Sequence, residues 1–104
     1  MQQFCVYRNR NAATRSAYPL LLNVQCDLMS ETGTRVVVPL VPVNRGMPSM
    51  PLLAPTLSIK GKPHVLATPL LAGVELADLG TLEDDLSDAR AEIMAALDLL
   101  VSGI

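Results

Sequence analysis

One histidine and a run of three acidic residues are the side chains of this sequence best suited to chemistry. The histidine is His64, and because it is the only one, a metal site built from several histidines of one chain is excluded. A serine–histidine–acid triad would use His64 as its base, but a lone histidine beside a proline is more often structural. Glu83, Asp84 and Asp85 are consecutive and point in different directions, which does not favour a metal cluster. We therefore expect no enzyme, no metal and no other cofactor.

Two basic segments have side chains that could contact phosphate. Residues 60–62 lack the full glycine-rich phosphate loop and are expected to form a hairpin tip. Arg8, Arg10 and Arg15 cluster in one predicted loop, but they have no aromatic stacking partners there. The whole chain has eight basic and ten acidic residues, a net charge of −2, which excludes a basic nucleic-acid coat. Direct binding of nucleic acid is therefore not expected.

The charges are divided unevenly along the chain. Residues 1–62 hold seven basic and two acidic residues, whereas residues 63–104 hold one basic and eight acidic residues. We expect the two halves to neutralise each other within one fold. The alternative is a polarised surface that steers a partner.

The sequence also carries information about compartment. Residues 1–10 contain no apolar segment of the kind found in signal peptides. The longest apolar stretch, residues 36–43, is far too short to span a membrane and contains two prolines. We therefore expect a cytoplasmic protein that does not bind membranes, with Cys5 and Cys26 reduced and buried in the core.

Length and composition indicate one small domain. The chain has 104 residues, of which 50% are hydrophobic and only three are aromatic. A chain of this length buries roughly 65% of its unfolded surface, so the core must be built from leucine, valine, alanine and methionine. Residues 1–104 contain no repeat and no linker, and we expect a single domain.

The first four-fifths of the chain predicts short strands separated by turns. In residues 20–26 every second side chain is apolar, which is typical of a strand. Pro39 and Pro42 interrupt the next apolar run and confine it to an edge, a bend or a bulge, because proline donates no hydrogen bond to a sheet. Residues 44–55 are rich in proline and predict a long loop. The strands are expected at residues 4–7, 20–26, 35–43, 56–59, 64–68 and 73–79, with residues 60–63 as a hairpin tip.

The chain is expected to end in an amphipathic helix. Apolar residues recur there at steps of three or four: Leu86, Ala89, Ile93, Leu97, Leu100 and Ile104. Ser87 is the expected N-cap, with Thr81 as an earlier alternative. Asp84 and Asp85 would lie near this start, where the helix dipole favours negative charge. Gly103 fits a C-terminal cap.

From end to end, the sequence resembles the CcdB-type toxins. Residues 1–7, MQQFCVY, are similar to a family start of the form M-Q-F-x-V-Y. Residues 23–27 match the segment D-V-Q-S-D, and residues 35–40 match R-x-V-I-P-L. Residues 83–87 align with V-A-D-L-S, and residues 96–104 match a helix that finishes in Gly-Ile. The order, the spacing and the total length carry the resemblance together.

The resemblance implies both a fold and a function. The fold is a small SH3-like, mostly antiparallel barrel with a C-terminal helix, shared with the MazF ribonucleases, and the protein is a homodimer. The function is that of a type II toxin in a plasmid-maintenance system, which binds the DNA gyrase A subunit and traps gyrase with its DNA cleaved. A disordered antitoxin segment neutralises the toxin. The two together repress their operon, so operator DNA is contacted only through the antitoxin.

The resemblance also implies a gyrase-binding surface on one turn and on the end of the helix. Leu28 and Met29 take the positions of two isoleucines, and Val101 takes that of a phenylalanine, so the apolar character is kept. Gly103 and Ile104 match the family directly.

Two further positions of this surface depart from the family. Asp98 stands in place of an asparagine, and Ser102 stands in place of a tryptophan whose ring stacks on a gyrase arginine in the family type. An aromatic anchor at the centre of an interface typically contributes about 2 kcal/mol or more, part of it from cation–π contact. This chain therefore engages gyrase through other contacts, binds it weakly, or has another target. The alternatives are a MazF-like endoribonuclease and a degenerate toxin that retains only antitoxin binding.

Overall fold

Seven strands and one C-terminal helix are present in residues 1–29 and 31–103, the part of the chain described by the structure, a computed structural model. These elements are β1 Cys5–Asn9, β2 Leu20–Asn23, β3 Thr34–Pro42, β4 Thr56–Ile59, β5 Lys62–Leu66, β6 Ala72–Glu75, β7 Leu79–Asp85 and α1 Arg90–Ser102. All strands pair antiparallel in the order β4-β5-β3-β2-β1-β7, and β6 pairs with β3. The sheet curls into a half-barrel. The predicted fold class, mostly β with a C-terminal helix, is confirmed.

The central strand of the sheet is β3, which contains both prolines. It pairs with β2 along one side and with β6 and β5 along the other. Residues 34–37 pair with β6 and residues 40–42 pair with β5, so Pro39 lies where the partner strand changes. A residue without a backbone N–H is tolerated at such a break in the pairing. Of the predicted placements, an edge, a bend or a bulge, the edge is excluded because β3 has partners on both sides.

The predicted hairpin between β4 and β5 is confirmed, with a shorter turn. Ile59 pairs with Lys62, so the turn consists of Lys60 and Gly61. Their φ values are 51° and 79°, and positive φ at both central residues is the mark of a type I′ turn. Lys62 and Pro63, expected at the tip, belong to β5.

The sequence predicts no strand beyond residue 79, whereas the structure has one at Leu79–Asp85. These residues form β7, antiparallel to β1, with Cys5 opposite Asp85. The alternative helix start at Thr81 is thereby excluded, and a single helical turn, Ser87–Ala89, precedes α1. Asp85 lies at the end of β7, and its Oδ1 accepts a 2.9 Å hydrogen bond from the backbone N–H of Ser87. The predicted N-cap is therefore wrong: Ser87 is the first residue of the helical turn, which follows Leu86, and Ala89 is the residue that precedes α1.

One face of the curled sheet is covered by α1. Ile93 and Ala96 are fully buried there, and complete burial of an isoleucine is worth about 1.5–3 kcal/mol. The cluster around them is aliphatic apart from one phenylalanine, as predicted: Phe4, Val6, Leu22, Val24, Val38, Leu40, Leu57, Ile59, Leu66 and Leu86. The helix ends at Gly103, which has a φ of 76° and donates to the Leu99 carbonyl at 3.0 Å, so the predicted C-cap is confirmed. None of the helices described is long and apolar enough to cross a membrane.

The two cysteines have different environments. Cys5 is buried in β1, whereas Cys26 is exposed. The strand β2 ends at Asn23, and Val24 is the last buried residue of the alternating run. Cys26 therefore lies in the loop beyond the sheet, and the prediction that both cysteines are buried is wrong for Cys26.

Candidate partner-binding surface

The last turn of α1 exposes an apolar side chain to solvent. Val101 is 82% exposed, although Ile93 and Ala96 of the same helix are fully buried. Burial of a valine side chain by a partner is worth about 1.5–3 kcal/mol. The helix thus has an inner face that holds it on the sheet and an outer end available for contact.

Polar groups at the same helix end are satisfied locally or point to solvent. The Ser102 hydroxyl donates a 2.7 Å hydrogen bond to the backbone carbonyl of Asp98. The Asp98 carboxylate is exposed and makes no hydrogen bond or ion pair with the residues that the structure describes. Gly103 closes the helix in the left-handed conformation. Asp98 is therefore the charged group that this end of the helix offers to a partner.

A second exposed apolar group lies on the single helical turn Asp27–Met29, between β2 and β3. Leu28 is 90% exposed and Met29 is 54% exposed. The first residue of the turn is tied to the N-terminal segment, because the Asp27 Oδ1 accepts a 2.9 Å hydrogen bond from the backbone N–H of Gln3. The turn is therefore fixed to the segment that precedes β1, while Leu28 and Met29 are exposed to solvent.

The side chain of Gln25 joins this turn to β3 through hydrogen bonds. Its Nε2 donates to the Met29 carbonyl at 2.9 Å and to the Thr32 hydroxyl at 3.0 Å. Its Oε1 accepts a 3.0 Å hydrogen bond from the backbone N–H of Val36 in β3. Sequence reasoning did not single out this positioning role. The glutamine that residues 23–27 share with the resembled segment D-V-Q-S-D was the signal that could have revealed it.

The acidic run is part of the scaffold. Glu83 accepts hydrogen bonds from Lys60 Nζ at 2.9 Å and from Arg8 Nε at 2.7 Å. These two cations, Lys60 first, hold the pKa of the Glu83 carboxyl below its usual range. Asp84 Oδ2 accepts from the backbone N–H of Lys60 at 2.9 Å. Together they join the β4–β5 turn to β7. In residues 1–29 and 31–103, no three or more His, Cys, Asp or Glu side chains are grouped so that they could hold a metal ion.

The family model described as CcdB protein matches residues 3–103. The chain belongs to the CcdB family. It is accordingly a toxin of a toxin–antitoxin system, and its half-barrel with one C-terminal helix is consistent with the CcdB fold. No individual curated protein matches the chain.

The surface predicted for this CcdB-family toxin falls into two exposed groups in the structure. One group is Leu28 and Met29, and the other is formed by Asp98, Val101 and Ser102 with the capping glycine. Among the residues described, no hydrogen bond or hydrophobic cluster joins the two groups. The final isoleucine, Ile104, lies outside the described residues.

Proposed function

We propose that this CcdB-family toxin binds the A subunit of DNA gyrase and stabilises the complex in which gyrase has cleaved DNA. One observation carries the proposal. Among the residues that the structure describes, Leu28 and Val101 are the two most exposed large apolar side chains. The resemblance assigns both positions to the gyrase contact. Sequence similarity and exposure thus select the same residues independently, and exposed apolar area of this kind favours a binding partner.

The chemistry of this surface predicts moderate affinity. Val101 and Ser102 replace two aromatic residues of the family type, and loss of one aromatic anchor costs about 2 kcal/mol, or roughly thirtyfold in affinity. Apolar contact through Leu28 and Met29 remains available. The free Asp98 carboxylate adds a charge-assisted hydrogen bond if the partner presents a cation there. The affinity of this toxin for gyrase therefore depends more on aliphatic contact and on charge than the affinity of the family type does.

A homodimer and an antitoxin complete the proposal. Further large apolar side chains, among them Leu70 and Leu82, are exposed, and a small domain can cover such area by pairing with a second copy. Light scattering tests the dimer directly, and a mass of one chain at micromolar concentration would contradict it.

The antitoxin binds through a disordered segment in the cytoplasm and represses the operon together with the toxin.

The antitoxin surface that fits best is basic. Arg8, Arg10 and Arg15 line one open cavity of about 790 Å³. Arg10 and Arg15 form no ion pair within residues 1–29 and 31–103, whereas Arg8 is paired with Glu83. An acidic segment would complement the two free guanidinium groups. Operator DNA is then reached only through the antitoxin.

Expression in bacteria tests the proposed function against the two alternatives. A gyrase toxin halts growth and produces double-strand breaks while cellular RNA stays intact. A MazF-like endoribonuclease would halt growth with degradation of RNA and no DNA breaks. A degenerate toxin would leave growth unchanged while still binding the antitoxin. Either of the last two results would contradict the proposal.

A further inference from the structure

An open cavity of about 650 Å³ lies between the turn that follows β3 and the start of β5. Asn44 and Arg45, from the single helical turn Val43–Arg45, form one polar side of the cavity, and Lys62 and His64 of β5 form the other. No acidic side chain of the described residues lines it. The cavity shares no residue with the proposed gyrase surface and does not depend on that function.

The imidazole of His64 is held in one orientation at this cavity. His64 is 7% exposed, and β5 places it between Leu57 and Pro42 of the neighbouring strands. Its Nδ1 lies 2.9 Å from the backbone carbonyl of Lys62. A carbonyl oxygen only accepts, so Nδ1 carries the hydrogen and donates it. The ring is therefore fixed, with Nε2 as its remaining polar atom.

Nε2 of His64 has no partner among the residues described. No buried side-chain nitrogen or oxygen in that part of the chain lacks a hydrogen bond, so this unpaired nitrogen must reach solvent. The open surface to which His64 contributes is the cavity. A nine-tenths buried histidine thus presents a single free nitrogen to a space lined by cations.

The two cations beside it are free to bind an anion. Lys62 and Arg45 are exposed and form no ion pair with the described residues. One nitrogen of Arg45, Nη1, donates to the Ser16 carbonyl at 3.0 Å. This bond orients the guanidinium and leaves its other N–H groups available.

We propose that this cavity binds a phosphate group. Arg45, Lys62 and the Asn44 amide offer more donors than the two oxygens of a carboxylate require, and they suit the three terminal oxygens of a phosphate. With the hydrogen of the ring on Nδ1, Nε2 of His64 accepts the hydrogen of a monoprotonated phosphate. A carboxylate at neutral pH has no hydrogen to give to Nε2. The volume also accommodates the organic part of a phosphate monoester.

Nuclear magnetic resonance of the imidazole tests the proposal. The chain has one histidine, so its ring signals are unambiguous. Inorganic phosphate, titrated at constant ionic strength, should shift the His64 Nε2 signal in a saturable manner. Lys62→Ala should weaken this binding at least about tenfold, as expected for the loss of one charge-assisted hydrogen bond. Arg90→Ala removes one positive charge at an exposed position outside the cavity and should leave the affinity unchanged.

A second variant removes the ring itself. His64→Gln should lower phosphate affinity by at least about tenfold in isothermal titration calorimetry, with circular dichroism as the folding control. Adenosine 5′-monophosphate serves as the monoester probe: tighter binding than inorganic phosphate assigns the site to phosphate monoesters, and equal binding assigns it to free phosphate. A shift that never saturates, an equal loss of affinity in Arg90→Ala, or the same saturable shift with acetate would overturn the proposal.

Discussion

The Ser102 hydroxyl donates a 2.7 Å hydrogen bond to the backbone carbonyl of Asp98, one turn earlier in α1. The serine is thereby engaged within its own helix at the position where the family resemblance expects a tryptophan. Val101 beside it is 82% exposed, and the Asp98 side chain remains open to solvent. The helix end of this toxin therefore offers one aliphatic group and one carboxylate in place of an aromatic anchor.

Restoring the aromatic ring should strengthen gyrase binding. Ser102→Trp should lower the Kd for a gyrase A fragment by roughly thirtyfold, since an aromatic anchor contributes about 2 kcal/mol. Surface plasmon resonance gives the comparison. Ser16→Trp, on an exposed loop, adds the same ring elsewhere and should leave the Kd unchanged. If Ser102→Trp binds no more tightly than wild type, the helix end is not the contact surface.

Charge introduced at the apolar groups should weaken gyrase binding without unfolding the protein. Val101→Asp and Leu28→Asp should each weaken gyrase binding by more than about tenfold, because a carboxylate must then be desolvated in the contact. Both sites are exposed, so the free energy of unfolding should change by less than about 0.5 kcal/mol. Leu52→Asp, at a site that is 71% exposed, is the matched control and should bind as wild type. Equal losses of gyrase affinity in all three variants would show a general effect of the added charge and would contradict the assigned contact surface.

The Glu83 ion pairs should make stability sensitive to acid. Lys60 and then Arg8 lower the pKa of Glu83, so the folded protein holds this carboxylate ionised more strongly than the unfolded chain does. The resulting stabilisation is present above the unfolded pKa and is lost as pH falls through the lower, folded pKa. Urea unfolding between about pH 6 and pH 3 should therefore show a steeper decline for wild type than for Glu83→Gln. Parallel declines would show that Glu83 contributes no linked stability.

The buried face of α1 should dominate the stability of the domain. Ile93→Ala removes a fully buried side chain and should lower the free energy of unfolding by about 2–5 kcal/mol. Val101→Ala on the same helix should change it by less than about 0.5 kcal/mol. Chemical denaturation measures both. Similar losses in the two variants would contradict the assignment of the inner and outer faces of α1.

The β4–β5 hairpin was predictable because its signals are local. Gly61 and the alternating residues on each side determine the turn and the pairing within a few positions. By contrast, β7 was missed because residues 80–85 are mostly polar or acidic and resemble a helix start. The partner strand of β7 is β1, and Arg8 and Glu83, which interact across this pair, are 75 positions apart in the sequence. The residue pattern of one segment does not indicate which distant segment it pairs with.

The residues of the candidate surface came from the family resemblance, whereas the hydrogen bonds that support them were not predicted. The resemblance located Leu28 and Val101, and the structure finds both highly exposed. The supporting hydrogen bonds of Gln25 could not be predicted, because they join a loop to β3 through a side chain with no periodic signal. Cys26 was misplaced for a related reason: the alternating pattern continues for several residues after β2 has ended.

Cleavage of plasmid DNA by gyrase tests the central claim most directly. Supercoiled plasmid, gyrase and ATP are incubated with the toxin, and detergent then releases any cleaved DNA as linear product. Linear DNA should accumulate with toxin concentration, at lower concentration for Ser102→Trp, and not for Val101→Asp. If no linear DNA forms at saturating concentrations of either wild type or Ser102→Trp, this chain is not a gyrase toxin.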